Sequence, residues 1–255
     1  MPDDYHRDTG GRGAGSSSAY WMVPPLPPKR REVNMIWVEK VTKVYGNITA
    51  LDGISLEIPE GSTVVILGPS GSGKTTLLRL IAGLEIPDDG TICIKGTPVS
   101  RPGWALAPHK RGLGFVFQAP ALWPHMTVAQ NIMFGLHGIP GENVRKRLQY
   151  LLERTSLSGL ERRYPHQISG GEARRVALAR SLAPQPRCLL MDEPLTNLDS
   201  DLKEKMLSLI KEEVSQTGIS LVYVTHDREE ARQIAEHMFI LKDGCLTGQE
   251  QADPY

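Results

Sequence analysis

The stretch GPSGSGKT, Gly68 to Thr75, constrains this chain more than any other. It follows the apolar run STVVIL and leads into KTTLLRLIAG. In that second run Leu77, Leu78 and Ile81 share one helical face, and Gly83 is placed to stop the helix. A turn spaced G-x-x-x-x-G-K-[ST] between a strand and a helix wraps backbone N–H groups around phosphate oxygens. Gly68, Pro69, Ser70, Gly71, Ser72 and Gly73 form the expected wrap, which continues into Lys74, Thr75 and Thr76. Lys74 is placed to reach the β- and γ-phosphates of a nucleotide, and the Thr75 hydroxyl to hold Mg²⁺. Strand, phosphate loop and helix in series already imply an α/β architecture.

The remaining chain keeps that alternation. ISLEIPEGSTVVILG holds two strands about a P-E-G turn, and PDDG turns into the strand TICIK. The middle third is helical. Thr127 and Gln130 have capping-box spacing there, and Val144, Leu148, Leu151 and Leu152 keep helical register. CLLMD and ISLVYVTH are apolar on both faces, as buried parallel strands are. Between them Leu202, Met206, Leu209 and Ile210 lie on one helical face. The expected fold is an α/β P-loop NTPase core with a mostly parallel sheet and an inserted helical subdomain over about 121–183. Residues 1–34, with DTGGRGAGSSS and VPPLPPKRRE, are expected to be a disordered tail. Within it PPLPPKR has the look of a polyproline ligand, a plain linker being the simpler account. Met35 opens the first strand, MIWVEKV; the folded domain spans 35–248, and 249–255 form a short C-terminal tail.

Lys plus Arg and Asp plus Glu each number 29, so the net charge is zero. A nucleic-acid-binding domain carries a basic excess, and no such partner is expected. Cys93, Cys188 and Cys245 lie far apart without a CxxC pair, which argues against zinc or a disulfide framework. Each sits in a strand-like context and is expected to be a reduced core residue, as a reducing cytoplasm allows. No apolar run approaches the roughly 18 residues that cross a bilayer, and none near the start has the length of a signal peptide core. Any work at a membrane is expected to pass through another chain.

Three further stretches carry chemistry. CLLMDEP ends an apolar strand in two carboxylates: Asp192 can hold Mg²⁺ through water, and Glu193 can polarise or deprotonate an attacking water. VTHD puts His226 at a strand end, on the edge of a parallel sheet where ligands bind, so that it can touch the γ-phosphate. ISGGEARRVALAR opens with Ser169 and Glu172 in capping-box spacing around Gly170 and Gly171. A helix start of this kind binds anions, so the chain offers a second phosphate site.

GPSGSGKT, FVFQ, ISGGE, LLMDEP, NLD and VTHD, in this order, resemble the ATP-binding subunit of an ABC transporter over about residues 35–248. ISGGE resembles that family's LSGGQ signature, with Ile168 for Leu and Glu172 for Gln. The resemblance implies ATP and Mg²⁺ as cofactors and head-to-tail pairing of two ATPase subunits, here expected to be a homodimer. Ser169, Gly170 and Gly171 then meet the γ-phosphate of ATP bound to the partner; the alternative is that Ser169 only caps its own helix. Tyr45 resembles the aromatic that stacks on adenine. Gln118 resembles the glutamine that reaches Mg²⁺ or the attacking water and links core to helical lobe. Asp199 resembles the residue that crosses the interface between the two sites.

The resemblance also implies transmembrane permease subunits, and APALWPHMTV resembles the groove that receives a permease helix, with Leu122, Trp123 and Met126 as contacts. Location is then peripheral, on the cytoplasmic face of the cell membrane. APHKRGLGFVFQ and YPHQISGGEARRVALAR are most similar to importers that work with a solute-binding protein, so the implied cargo is an inorganic ion or a small organic solute. The alternatives are an export or lipoprotein-release ATPase, a soluble ABC ATPase acting on DNA or ribosomes, and an ordinary P-loop kinase. The kinase leaves ISGGE and VTHD unexplained.

Overall fold

The structure is a computed structural model that describes residues 34–136 and 141–251. The expectations for the tail before Asn34 and for residues 252–255 lie outside the described residues. Two sheets organise the chain. The first is six-stranded, in the order β11-β10-β3-β9-β8-β7. It is built from β3 (Thr63–Leu67), β7 (Leu113–Val116), β8 (Cys188–Asp192), β9 (Ser220–Thr225), β10 (His237–Lys242) and β11 (Cys245–Gln251). Its pairings are parallel except that of β10 with β11. The central strands β3, β8 and β9 are buried along their whole length, which is why their sequences are apolar without alternation.

The second sheet is antiparallel, in the order β2-β1-β4-β5-β6. It comprises β1 (Asn34–Tyr45), β2 (Ile48–Pro59), β4 (Asp89–Ile94), β5 (Thr97–Arg101) and β6 (Trp104–Ala105). The expected mostly parallel sheet is present, and this additional sheet was not distinguished from it. Strand-forming runs show that strands exist but not which neighbour each one takes.

Side chains on β3 alternate between two cores, as the two-residue strand period requires. Val64 and Ile66 join the cluster under the antiparallel sheet and α1 (Lys74–Ala82). Val65 and Leu67 face the other way, into a cluster shared with α5 (Ser200–Thr217) and α6 (Arg228–Ile234). Helix α1 is thus sandwiched between sheets. That second cluster runs on without a break into α2 (Val128–Met133), α3 (Gly141–Arg154) and α4 (Gly170–Leu182), the inserted helical lobe. Leu151 and Leu152 are buried and Val144 and Leu148 pack against it, as their spacing predicts.

Both expected capping boxes form. Thr127 and Gln130 start α2, and Ser169 and Glu172 start α4 with reciprocal bonds of 3.2 and 2.6 Å. Helix α1 ends at Gly83, in a left-handed conformation. Two expectations need correction. Cys93 and Cys188 are buried, but Cys245 is exposed, because it opens the edge strand β11. That strand runs to Gln251, so regular structure extends past the expected boundary at 248. Among the described residues no helix is long and apolar enough to cross a membrane.

Candidate functional site

Strands β3, β9, β8 and β7 are adjacent and parallel, so the chain leaves all four at the same edge of the sheet. The phosphate loop leaves β3 there, His226 comes directly after β9, Asp192 and Glu193 stand at the end of β8, and Gln118 lies just beyond β7. Topology alone brings together residues that are up to 158 positions apart, from Gly68 to His226.

The loop fits closely. A Cβ on Gly68 would stand 2.1 Å from the Leu241 carbonyl oxygen. Gly73 has φ +103°, and its Cβ would stand 2.4 Å from the Ala50 carbonyl oxygen. Only glycine serves at either place. Lys74 is buried, and its ammonium donates to the carbonyls of Gly68 at 2.8 Å and Pro69 at 2.9 Å. Burial lowers its pKa, against the pull of the Glu193 and Asp192 carboxylates.

Glu193 is the hub. Its carboxylate lies 3.7 Å from the Lys74 ammonium and 3.3 Å from His226 Nδ1, and it accepts a hydrogen bond from Gln118 Nε2 at 3.3 Å. Its backbone is held at φ +45°, uncommon for a side-chain-bearing residue, with its N–H donating to the Val224 carbonyl. Strain of this kind collects where a side chain must be aimed. Beside it the Thr75 hydroxyl donates to Asp192 Oδ1 at 3.0 Å. Burial pushes the Asp192 carboxyl above the usual carboxylate range; the Thr75 bond opposes this and the neighbouring Glu193 charge adds to it.

A cavity of about 550 Å³ is lined by Lys74, Thr75, Gln118 and Glu193 together with Tyr45 and Thr76. The Tyr45 hydroxyl donates to Glu85, and its pKa is raised to about 12 by burial and then by that carboxylate. The cavity also takes in Ile48, Thr49, Ala50, Asp243 and Gly244, which the sequence motifs did not single out. The D-G turn after HMFILK was the visible signal for Asp243 and Gly244. Its Gly244 N–H donates to the Ser72 carbonyl, and Asp52 N–H to the Gly244 carbonyl, so three segments lock around the loop. The oxygens of Thr75 and Asp192 suit Mg²⁺, a hard cation that draws the rest of its shell from phosphate and water. Among the described residues no group of three His, Cys, Asp or Glu side chains forms a metal cage by itself.

The lining of that cavity does not include Ser169, Gly170, Gly171 or Asp199. These gather elsewhere. A Cβ on Gly171 would lie 3.5 Å from Leu198, and Arg174 donates to the Thr196 carbonyl, so the start of α4 packs beside the Asp199 loop. Ser169 and Gly170 are exposed. Asp199 caps α5, accepting from Leu202 N–H at 2.9 Å.

Trp123 is exposed and lies 5.5 Å, ring to ring, from the exposed Phe134. Leu122 packs against the core and Met126 is half-buried. Buried Asn131 shapes this loop: its Oδ1 accepts from Trp123 N–H, and its Nδ2 donates to the carbonyls of Trp123, Met126 and Thr127.

The sequence profile of the ABC transporter family matches residues 51–196. A sulfate/thiosulfate import ATP-binding protein, CysA, of Synechocystis sp. is 44% identical over 213 residues, covering 83% of this chain and 59% of that one. An Fe(3+) ions import ATP-binding protein, FbpC, of Photorhabdus laumondii is 45% identical, covering 84% of this chain and 60% of that one. The chain thus spans about three fifths of the length of these relatives. Among solved structures, the dimeric bacterial ABC transporter cassette MJ0796 superposes with a TM-score of 0.78 at 35% identity, covering 87% of this chain and 100% of that one. A post-hydrolysis dimer of the same cassette bound to ADP and Pi gives 0.77 at 36%, with the same coverage. The chain belongs to the ABC transporter family, and its described residues form an ATP-binding cassette.

Proposed function

We propose that the chain is the ATP-binding and ATP-hydrolysing subunit of an importer, driving a solute through separate membrane subunits. The observation that carries this reading is the convergence of Lys74, Gln118 and His226 on the Glu193 carboxylate, beside the Thr75–Asp192 pair. Phosphoryl transfer is catalysed mainly by positioning and charge, which is what this arrangement offers. The loop amides and Lys74 hold the phosphates, and Tyr45 with the wall of the cavity receives the base. Thr75 and Asp192, with Gln118 within reach, would hold Mg²⁺, which offsets phosphate charge when bound. Glu193 orients the attacking water or takes its proton at a carboxylate oxygen, and His226 meets the terminal phosphate.

Ser169, Gly170 and Gly171 serve the nucleotide of a second copy, across an interface that Asp199 also enters. The dimeric cassettes at 35% and 36% identity support this pairing. The exposed Trp123 and Phe134 offer a permease helix an apolar contact, which sets the chain on the cytoplasmic face of the membrane. Relatives named for sulfate/thiosulfate and Fe(3+) import support an inorganic ion as cargo, delivered by a solute-binding protein. No nucleic acid takes part.

The test is the mass in solution of a Glu193→Gln variant with and without ATP. Blocked hydrolysis should trap a dimer that forms only with ATP and disappears on adding Ser169→Arg. A protein that binds ATP yet stays monomeric would refute pairing of identical chains through the α4 start.

A further inference from the structure

We propose that Lys203, on helix α5, is a positioning residue for His226. The proposal rests on the role given to His226 above, and it concerns what aims that ring. His226 is half exposed, its side chain at 49%, and its ion-pair contact is with the Glu193 carboxylate. A ring so loosely packed takes its direction from the backbone on either side, and both neighbours are tied into one network. Thr225 donates its hydroxyl to Glu230 Oε2 at 2.9 Å and accepts the Asp227 N–H at 3.0 Å. Asp227 Oδ1 accepts the Glu229 and Glu230 N–H groups at the start of α6.

Lys203 closes the network, its ammonium 2.9 Å from Asp227 Oδ2 and 2.8 Å from Glu230 Oε1. Glu230 is nearly inaccessible, its side chain at 6%, and its other oxygen is also taken by the Tyr223 hydroxyl at 2.9 Å. The Lys203 side chain keeps 26% of its surface and the Asp227 side chain 32%. Ion pairs exposed to that degree add little stability, but a cation shared by two carboxylates fixes their relative place. What it fixes is the pair of residues flanking His226 against the first turn of α5. The Lys203 N–H is itself bonded to the Asp199 carbonyl at 2.9 Å. One residue therefore joins the Asp199 loop, through its backbone, to the His226 segment, through its side chain.

The test compares the full-length chain with Lys203→Met, Lys203→Arg, Asp227→Asn, His226→Ala and the Lys203→Met/His226→Ala pair, measuring ATP turnover, KM for ATP and Tm. Asp227→Asn keeps a helix-capping side chain but gives up the charge pair, so it tests the link should Lys203→Met fold poorly. Displacing a catalytic group without removing it is expected to lower kcat by about ten- to a hundredfold. For Lys203→Met and Asp227→Asn that loss should leave KM unchanged, and Lys203→Arg should restore most of it. In the His226→Ala background Lys203→Met should add no further loss, since the two act through one group. Wild-type kcat in both Lys203→Met and Asp227→Asn would overturn the proposal, as would an undiminished loss when His226 is already absent. A His226→Ala protein with wild-type kcat would instead refute the role of His226, and the proposal would fall with it.

Discussion

At the scale of single residues, the site crowds two carboxylates and an ammonium into a space that water barely reaches, and burial dominates both Asp192 and Lys74. For Asp192 the sign is unfavourable to the folded chain. A carboxyl whose folded pKa stands above its unfolded one holds a proton that unfolding releases, so stability falls as pH rises through that window. Asp192→Asn keeps an acceptor for the Thr75 hydroxyl and removes the charge. The nucleotide-free variant should therefore melt above the wild type at neutral pH, while losing Mg²⁺-dependent ATP turnover. The gain should vanish once pH drops below the unfolded carboxylate pKa of about 4, where both proteins are neutral at this position. A lower Tm at pH 7 would show that Lys74 already compensates the charge. That Lys74, Thr75 and Asp192 meet in one place was legible because each motif carries its own spacing and context. Ile48 and Lys203 were not legible, because nothing local marks a strand end or a helix face as part of the site; the D-G turn at Asp243 was visible, but not which distant loop it meets.

At the scale of elements, α1 carries Lys74 and Thr75, and its far end is held by an unusual device. Arg111 is buried, and its guanidinium donates to the carbonyls of Leu80 and Ile81 on α1, Val99 on β5 and Leu106, and to the Ser100 hydroxyl on β5. Burial lowers its pKa to about 10. The guanidinium takes up the Ile81 carbonyl, which the helix end leaves without a backbone partner, shares that of Leu80 with the Gly83 N–H, and pins the helix to the antiparallel sheet. Arg111→Met fills similar space but strands those oxygens. The Leu80 and Val99 carbonyls keep the Gly83 and Leu106 N–H groups, but those of Ile81 and Leu106 lose their partner, so the change should cost about 2 kcal/mol or more, read as a lower urea midpoint; an unchanged midpoint would mean the helix end rearranges freely. Helix starts and stops were the most legible elements, since Ser169, Thr127 and Gly83 act on backbone groups within a few residues. Sheet membership was not legible, because β1 pairs with both β2 and β4 through contacts that no local pattern encodes. Cys245 was misplaced for the same reason: being apolar does not reveal that a strand lies at an edge.

At the scale of the whole molecule, the chain holds a phosphate cavity and, apart from it, an exposed and well-capped helix start with two glycines. Gly170 sits in the first turn of α4, where glycine is less favourable than alanine by up to about 1 kcal/mol. Nothing among the described residues requires it: a Cβ there would meet none of their atoms within 4 Å, and its φ is not in the left-handed region. Gly171 differs only in packing at ordinary distance against Leu198. A position where alanine fits and stabilises the single chain, yet glycine stands, points to something that approaches from outside as closely as a backbone allows. Gly170→Ala should therefore separate the chain from the assembly. In the nucleotide-free monomer its Tm should hold or rise by a few degrees. In the Glu193→Gln background the ATP-dependent dimer should weaken, and with Glu193 intact ATP turnover should fall at least about tenfold. The capping bonds of Ser169 are unaffected by this change, so the loss could not be ascribed to a frayed helix. A variant that is both more stable and fully active would leave α4 with a purely internal role, and would return the second phosphate site to an ordinary helix start.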